Sequence, residues 1–337
     1  MKFRSVVALA ALLSGCTMAP PTPAPSSADD PVQRLVGAVS GAGAVPHLEA
    51  LQQIADANGG NRASPGPGYD ASVDYVAGVL RDAGYDVSTP TYPAPGDDRG
   101  EGPPVMTRQV IAQTRTGDPQ KVVMAGAHLD SVPEGPGIND NASGAATLLE
   151  IATRLGGSPQ VAQAVRFGFW GSEEIDLNGS THYVESLSDP DRERIAVYLN
   201  VDMVASPNAG YYVQGGEGRR PSQTGPPGSA GVVRVLSDQL ARAGAVAEVI
   251  PFDGESDYVA FIEAGIPSGS MYAGDDDEKS PREARSWGGR ADEPFDPCYH
   301  SACDRVDDLD RTALDRYTDA VAGTLAHFAT SADPIPT

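Results

Sequence analysis

Three cysteines in 337 residues are too few to build a disulfide scaffold, so the fold must rest on a hydrophobic core. Basic residues are also scarce, with 24 Lys and Arg against 46 Asp and Glu and a net charge of −22. Such a surface repels phosphate backbones, which argues against nucleic acid as a partner and describes a solvated exterior. No segment beyond the first residues is apolar for long enough to cross a bilayer. No Gly-x-Ser-x-Gly elbow occurs, which disfavours a serine hydrolase, and no repeat of 20 to 50 residues is visible. What is present suits a globular chain: 40% hydrophobic and 21% charged residues are enough for a sizeable core.

The N-terminus reads as a targeting device. Lys2 and Arg4 precede an apolar run from Ser5 to Leu13, too short to span a membrane. Leu13, Ser14, Gly15 and Cys16 then resemble the bacterial lipobox, so residues 1–16 are expected to be a lipoprotein signal with Cys16 lipidated. Residues 17–45, densest in proline from Ala19 to Pro31, read as a tether. The chain is therefore expected outside the cell, held to the outer face of the bacterial membrane or released. That leaves Cys298 and Cys303 as the remaining thiols, and in an exported protein they are expected to pair. A structural zinc site is the weaker rival, because no second cysteine pair exists.

Residues 46–332 are expected to form one catalytic domain. Leu48, Leu51 and Ile54 share a helical face over His47 to Ala57, and Val73, Val76 and Leu80 share one over Ala71 to Ala83, with Gly84 as the stop. Short apolar runs at 122–125, 165–170, 196–201 and 266–272 suit strands covered on both faces. Helical spacing returns at 142–155, 179–187, 232–243 and from Leu314 to Phe328. The alternation predicts a three-layer α/β/α sandwich around a mixed, largely parallel sheet.

Five segments carry metal-ligand chemistry: 126–131 (GAHLDS), 138–144 (INDNASG), 170–174 (WGSEE), 200–204 (NVDMV) and 298–303 (CYHSAC). His128, Glu173, Glu174 and Asp202 fall at or beyond the C-terminal ends of expected strands, the edge where open α/β sheets bind ligands. Two imidazoles and three carboxylates suit two zinc ions. Asp140 would be shared between them, with His128 and Asp202 completing one shell and Glu174 and His300 the other. Glu173, beside a ligand, is placed to carry a proton. Asp130 is placed to orient His128, and Tyr299 to donate its hydroxyl to an oxyanion. His47, His182 and His327 lie on expected helices outside any ligand-like setting. The acidic run 274–278 (GDDDE) reads as a solvated loop.

These segments resemble the secreted dizinc aminopeptidases of metallopeptidase family 28, particularly the leucine-preferring streptomycete enzymes, from about His47 to Phe328. The likeness includes 58–62 (NGGNR), 137–141 (GINDN), 206–208 (SPN), 287–289 (WGG) and 312–316 (TALDR). It implies that His128, Asp140, Glu174, Asp202 and His300 ligate zinc, that Glu173 is the general base, that Tyr299 steadies the transition state, and that Cys298 bonds to Cys303. It also implies release of large apolar N-terminal residues from peptides by a monomer. Three departures stand out. In 252–257 (FDGESD) Glu255 replaces an arginine that lies near the substrate in those relatives, so Glu255 is a candidate substrate-binding residue. Those enzymes bind calcium with acids near both termini, and here only Asp315 and Asp319 match. The stretch from Tyr92 to Val105 is too short for the protease-associated insert that some relatives carry.

Two rival readings follow. Relatives with similar ligand sets act as carboxypeptidases or on other amides, but a carboxypeptidase needs a basic anchor, whereas the rim here is rich in acids. A non-catalytic peptide- or metal-binding lipoprotein has no need of an acid at Glu173.

Overall fold

The computed structural model describes residues 31–96, 103–218 and 223–331, so the leader and Cys16 lie outside the described residues. The chain runs α1 (Pro31–Val36), α2 (Gly41–Ala57), α3 (Pro67–Asp82), β1 (Asp86–Ser88), β2 (Thr91–Ala94), β3 (Val105–Arg108), β4 (Val110–Gln113) and β5 (Asp118–His128). It continues with α4 (Gly144–Leu155), β6 (Gln163–Trp170), α5 (Asn178–Ser186), α6 (Asp189–Glu193), β7 (Ile195–Val201) and β8 (Tyr212–Gln214). The last elements are α7 (Ser229–Arg242), β9 (Glu248–Ile250), α8 (Tyr258–Glu263), β10 (Ser268–Tyr272), α9 (Pro281–Trp287) and α10 (Arg311–Thr330). Among the described residues no helix is long and apolar enough to cross a membrane.

Eight strands form one sheet in the order β1-β4-β6-β5-β7-β10-β8-β9. The central run β6-β5-β7-β10 is parallel, while β1, β4 and β8 join antiparallel, so the sheet is mixed as expected. The apolar runs read as doubly buried strands behave that way. Val123, Ala125 and Ala127 of β5 enter the core shared with α2, α3, α4, α7 and α10, and Val122 and Met124 enter the opposite core with Tyr183 of α5 and Phe261 of α8. Burying apolar side chains on both faces is the main force holding the three layers together.

α2, α3, α7 and α10 begin before their expected spans, whereas α4 begins two residues later than expected. α2 begins at Gly41 rather than His47, and its N-cap Ser40 accepts the backbone N–H of Gly43 at 3.0 Å. Residues 31–45, expected in the tether, thus include α1 and the first turn of α2, and bury Leu35, Val39 and Ala44. Two glycines and Pro46 hide this start from propensity, but close packing explains Gly43: a Cβ there would lie 2.1 Å from Glu150 Oε1 of α4.

Candidate metal centre

The C-terminal edge of the parallel strands gathers the expected residues. His128 ends β5, Glu173 and Glu174 follow β6 by a short turn, and Asp202 follows β7 directly. Asp140 sits in an irregular helical turn, 138–143, between β5 and α4. Gly137 enters that turn at φ +61, and a Cβ there would meet Asp140 O at 2.3 Å, so the tight loop expected before Asp140 requires glycine. His300 arrives from the far end of the chain at φ 50, inside the loop closed by the Cys298–Cys303 disulfide.

The geometry centres on Asp140. Its Oδ1 lies 3.1 Å from His128 Nε2 and its Oδ2 3.1 Å from His300 Nε2. Asp202 Oδ1 is 3.4 Å from the same His128 nitrogen, and Glu174 Oε2 is 3.1 Å from the same His300 nitrogen. One carboxylate thus faces two imidazoles, each with a second carboxylate. Donor atoms of His128, Asp140 and Glu174, and those of His128, Glu173 and Asp202, lie within 4.8 Å of one another in two overlapping groups. The second group brings Glu173 nearer to ligand position than its expected role implies, with Oε2 3.9 Å from His128 Nε2.

The residues fit a pair of zinc ions on their own chemistry. Buried polar atoms normally find partners, yet Asp202 Oδ1 and Glu174 Oε1 have no hydrogen-bond partner. Nitrogen and carboxylate oxygen are zinc donors. Burial pushes the Glu173 carboxyl well above the usual range and, with Asp140 beside it, lifts Glu174 to about 7. Burial opposes the charge on His300, but Asp140 and Glu174 outweigh it and raise the imidazole to about 10. His128 is raised by Glu173 and Asp202 against its burial, and Asp140 is lowered by the two imidazoles against its own.

The other expected residues are close by. Asp130 Oδ1 stands 3.6 Å from His128 Nδ1, beyond a hydrogen bond, and accepts the Glu173 backbone N–H at 3.3 Å. Tyr299 stacks on His300 at 3.8 Å between ring centroids and lines the cavity over the centre. Glu255 is exposed at the rim of that cavity. Asp315 accepts the Gly41 backbone N–H at 2.7 Å, and among the described residues the potential metal clusters are confined to the His128 centre, so calcium at Asp315 and Asp319 gains no support. His47 bonds to Tyr75, His182 stacks on Tyr92 and His327 packs near Phe328, all apart from the centre. The acidic run is more than a solvated loop, because Asp275 faces the cavity.

Several supporting residues received no role from the sequence, although Arg62, Ser256 and Asp257 lie in segments quoted for the family resemblance. Arg62 is fully buried and donates to the carbonyls of Leu129, Pro136 at 3.0 Å and Gly137 at 2.5 Å, tying the end of β5 to the Asp140 loop. Asp304 accepts the backbone N–H groups of Asn139 at 2.6 Å and Asp140 at 3.1 Å. The Ser256 hydroxyl donates to Asp202 Oδ2 at 2.5 Å. Asp257 is buried with both oxygens unpartnered, and burial lifts it to about 7. In a single sequence, polar side chains in loops look alike whether they face solvent or a metal shell.

The profile of Peptidase family M28 matches residues 109–325. The chain is 38% identical to the probable lipoprotein aminopeptidase LpqL of Mycobacterium tuberculosis, over 80% of this chain and 81% of that protein. It is 41% identical to leupeptin-inactivating enzyme 1 of Streptomyces exfoliatus, over 82% of this chain but only 59% of that longer protein. Among solved structures, an aminopeptidase from Aneurinibacillus sp. strain AM-1 superposes with a TM-score of 0.70 over 91% of this chain and 98% of its own. At 17% identity this likeness speaks for the fold alone.

Proposed function

The chain belongs to peptidase family M28, and on that premise we propose an exported, lipid-anchored metallo-aminopeptidase that releases N-terminal residues from peptides as a monomer. The observation that carries the reading is Asp140, whose two oxygens each stand 3.1 Å from a different imidazole in a buried nest of acids. His128 and Asp202 would hold one zinc ion, His300 and Glu174 the other, and Asp140 both. Two zinc ions there would supply Lewis-acid polarisation of the scissile carbonyl and a lowered pKa for water.

The remaining steps belong to the protein. Glu173, whose burial strengthens its hold on a proton, accepts one from the attacking water and passes it to the departing amine. Tyr299, on the cavity wall, donates its hydroxyl to the oxyanion of the tetrahedral intermediate. Asp130, 3.6 Å from His128 Nδ1, favours a proton on that nitrogen by its charge and, through the Glu173 backbone, ties the base to the same strand end. Glu255 is the substrate-binding candidate at the rim, where its negative charge suits a cationic group on the substrate. Among the described residues no lysine or arginine lines the cavity, whereas a carboxypeptidase needs a basic anchor for the substrate carboxylate.

Export and anchoring at Cys16 draw support from the lipobox and from the relative named as a lipoprotein. A panel of aminoacyl chromogenic amides, free and N-acetylated, assayed with and without a chelator, tests the activity. Free amides should be cleaved and acetylated ones spared, and chelation should stop the reaction. Equal cleavage of acetylated amides would refute the aminopeptidase reading.

A further inference from the structure

Beyond the centre and Ser256, which bonds to Asp202, the cavity is lined by Met203, Gln214, Asp253, Glu255, Tyr272 and Asp275. Three of these six are acids. Asp253 is fixed in place, accepting from Gln214 Nε2 at 2.6 Å and from the Tyr258 hydroxyl. Among the described residues none of the three enters an ion pair, and nearby cations are committed elsewhere. Lys279 donates to the carbonyls of Ala209 and Gly288, Arg282 pairs with Glu248, and Arg290 pairs with Glu293. Like charge accumulates as a result: Asp253, then partial burial, then Asp275 and Asp277 push the Glu255 carboxyl upward. The same cavity contains Asp202, 91% buried with Oδ1 unpartnered, so the pocket is continuous with the site where the scissile bond must lie.

Resting on the aminopeptidase reading above, we propose that this cavity is the specificity pocket for the departing N-terminal residue and that it takes a cationic side chain, lysine or arginine. A large apolar side chain, which the family resemblance implies, would strip water from Asp253, Glu255 and Asp275 and give nothing in return. A lysine or arginine offers both parts that the walls require. Its methylenes lie against the Met203 thioether and the Tyr272 ring, and its charged end meets the carboxylates. Glu255 and Asp275 then determine specificity, while the metal ligands and Glu173 carry the chemistry.

The test uses the zinc-loaded chain with amides of lysine, arginine, norleucine and leucine. Norleucine matches the lysine stem without its charge, so their ratio isolates the pocket's electrostatics. The expected kcat/KM for the lysine and arginine amides exceeds that for norleucine by about tenfold or more. Glu255→Gln and Asp275→Asn should each reduce the lysine-to-norleucine ratio by roughly threefold or more, given that both acids are partly solvated. Norleucine and leucine amides cleaved as fast as the lysine amide would overturn the proposal. So would variants that slow lysine and norleucine amides in equal proportion, since the acids would then serve the α-ammonium that all substrates share. Failure to cleave any free aminoacyl amide would be a different result, refuting the aminopeptidase reading itself.

Discussion

Replacing Arg62 with methionine tests how the centre is held together. The guanidinium is fully buried, and its donors reach the carbonyls of Leu129, Pro136 and Gly137, all in the segment that joins His128 to Asp140. Burial lowers its pKa to about 10, and Asp130, Asp304, Asp140 and Glu174 keep it charged. Methionine fills much of the same volume but leaves the buried carbonyls of Leu129 and Pro136 without donors, each costing roughly 1–3 kcal/mol, while Gly137 O keeps the Ala142 N–H at 3.1 Å. Such losses do not add fully, so the expected destabilisation of the zinc-free protein is about 3–5 kcal/mol. That is a large part of the ~5–15 kcal/mol that holds a typical domain folded. Because the clamp also sets the Asp140 loop, zinc affinity should fall by about tenfold or more. Urea unfolding in a chelator measures the first effect, and competition with a zinc indicator measures the second. A loss under about 1 kcal/mol with unchanged zinc affinity would refute the clamp.

Other substitutions separate the remaining roles. Glu173→Ala should keep its zinc yet lose nearly all turnover, whereas Asp140→Ala should lose zinc as well; near-parental turnover in the first would remove Glu173 as the base. Ser256→Ala deletes the donor to Asp202 Oδ2 and should weaken zinc binding by about tenfold while the fold survives, as read by metal content and circular dichroism. Asp319 is raised from 3.8 to about 6, by burial first and Asp315 second, so the fold loses stability as pH rises through that window. In a chelator, Asp319→Asn should therefore melt higher than the parent at pH 7 but not at pH 4, and an equal gain at both would exclude ionisation as the cause.

Much of the fold could be read from the sequence because its core is simple. The runs at 122–125, 165–170 and 196–201 lie inside β5, β6 and β7, where both faces are covered and continuous apolar residues are required. The short strands β1, β2, β8 and β9, of three or four residues, carry too little pattern to register, and Pro93 lies within β2. The start of α2 escaped notice because packing against α4 and α10, rather than propensity, selects its glycines. For the centre, ligand types at strand ends nominated His128, Glu174 and Asp202, while Asp140 and His300 rested on their own short segments and on the family resemblance. Their partners Arg62, Asp304 and Ser256 act through contacts more than 50 residues away in sequence, which no local pattern encodes. The pocket acids were only partly legible: Glu255 stood out against the family pattern, while Asp275 was hidden in an acidic run.

The central claim is that Asp140 joins two zinc sites, and the zinc content of active protein tests it most directly. Metal-free chain titrated with zinc, while free aminoacyl amide hydrolysis is followed, should gain activity up to about two ions per chain and then level off. Full activity at one ion per chain, or activity that persists with none, would contradict the account.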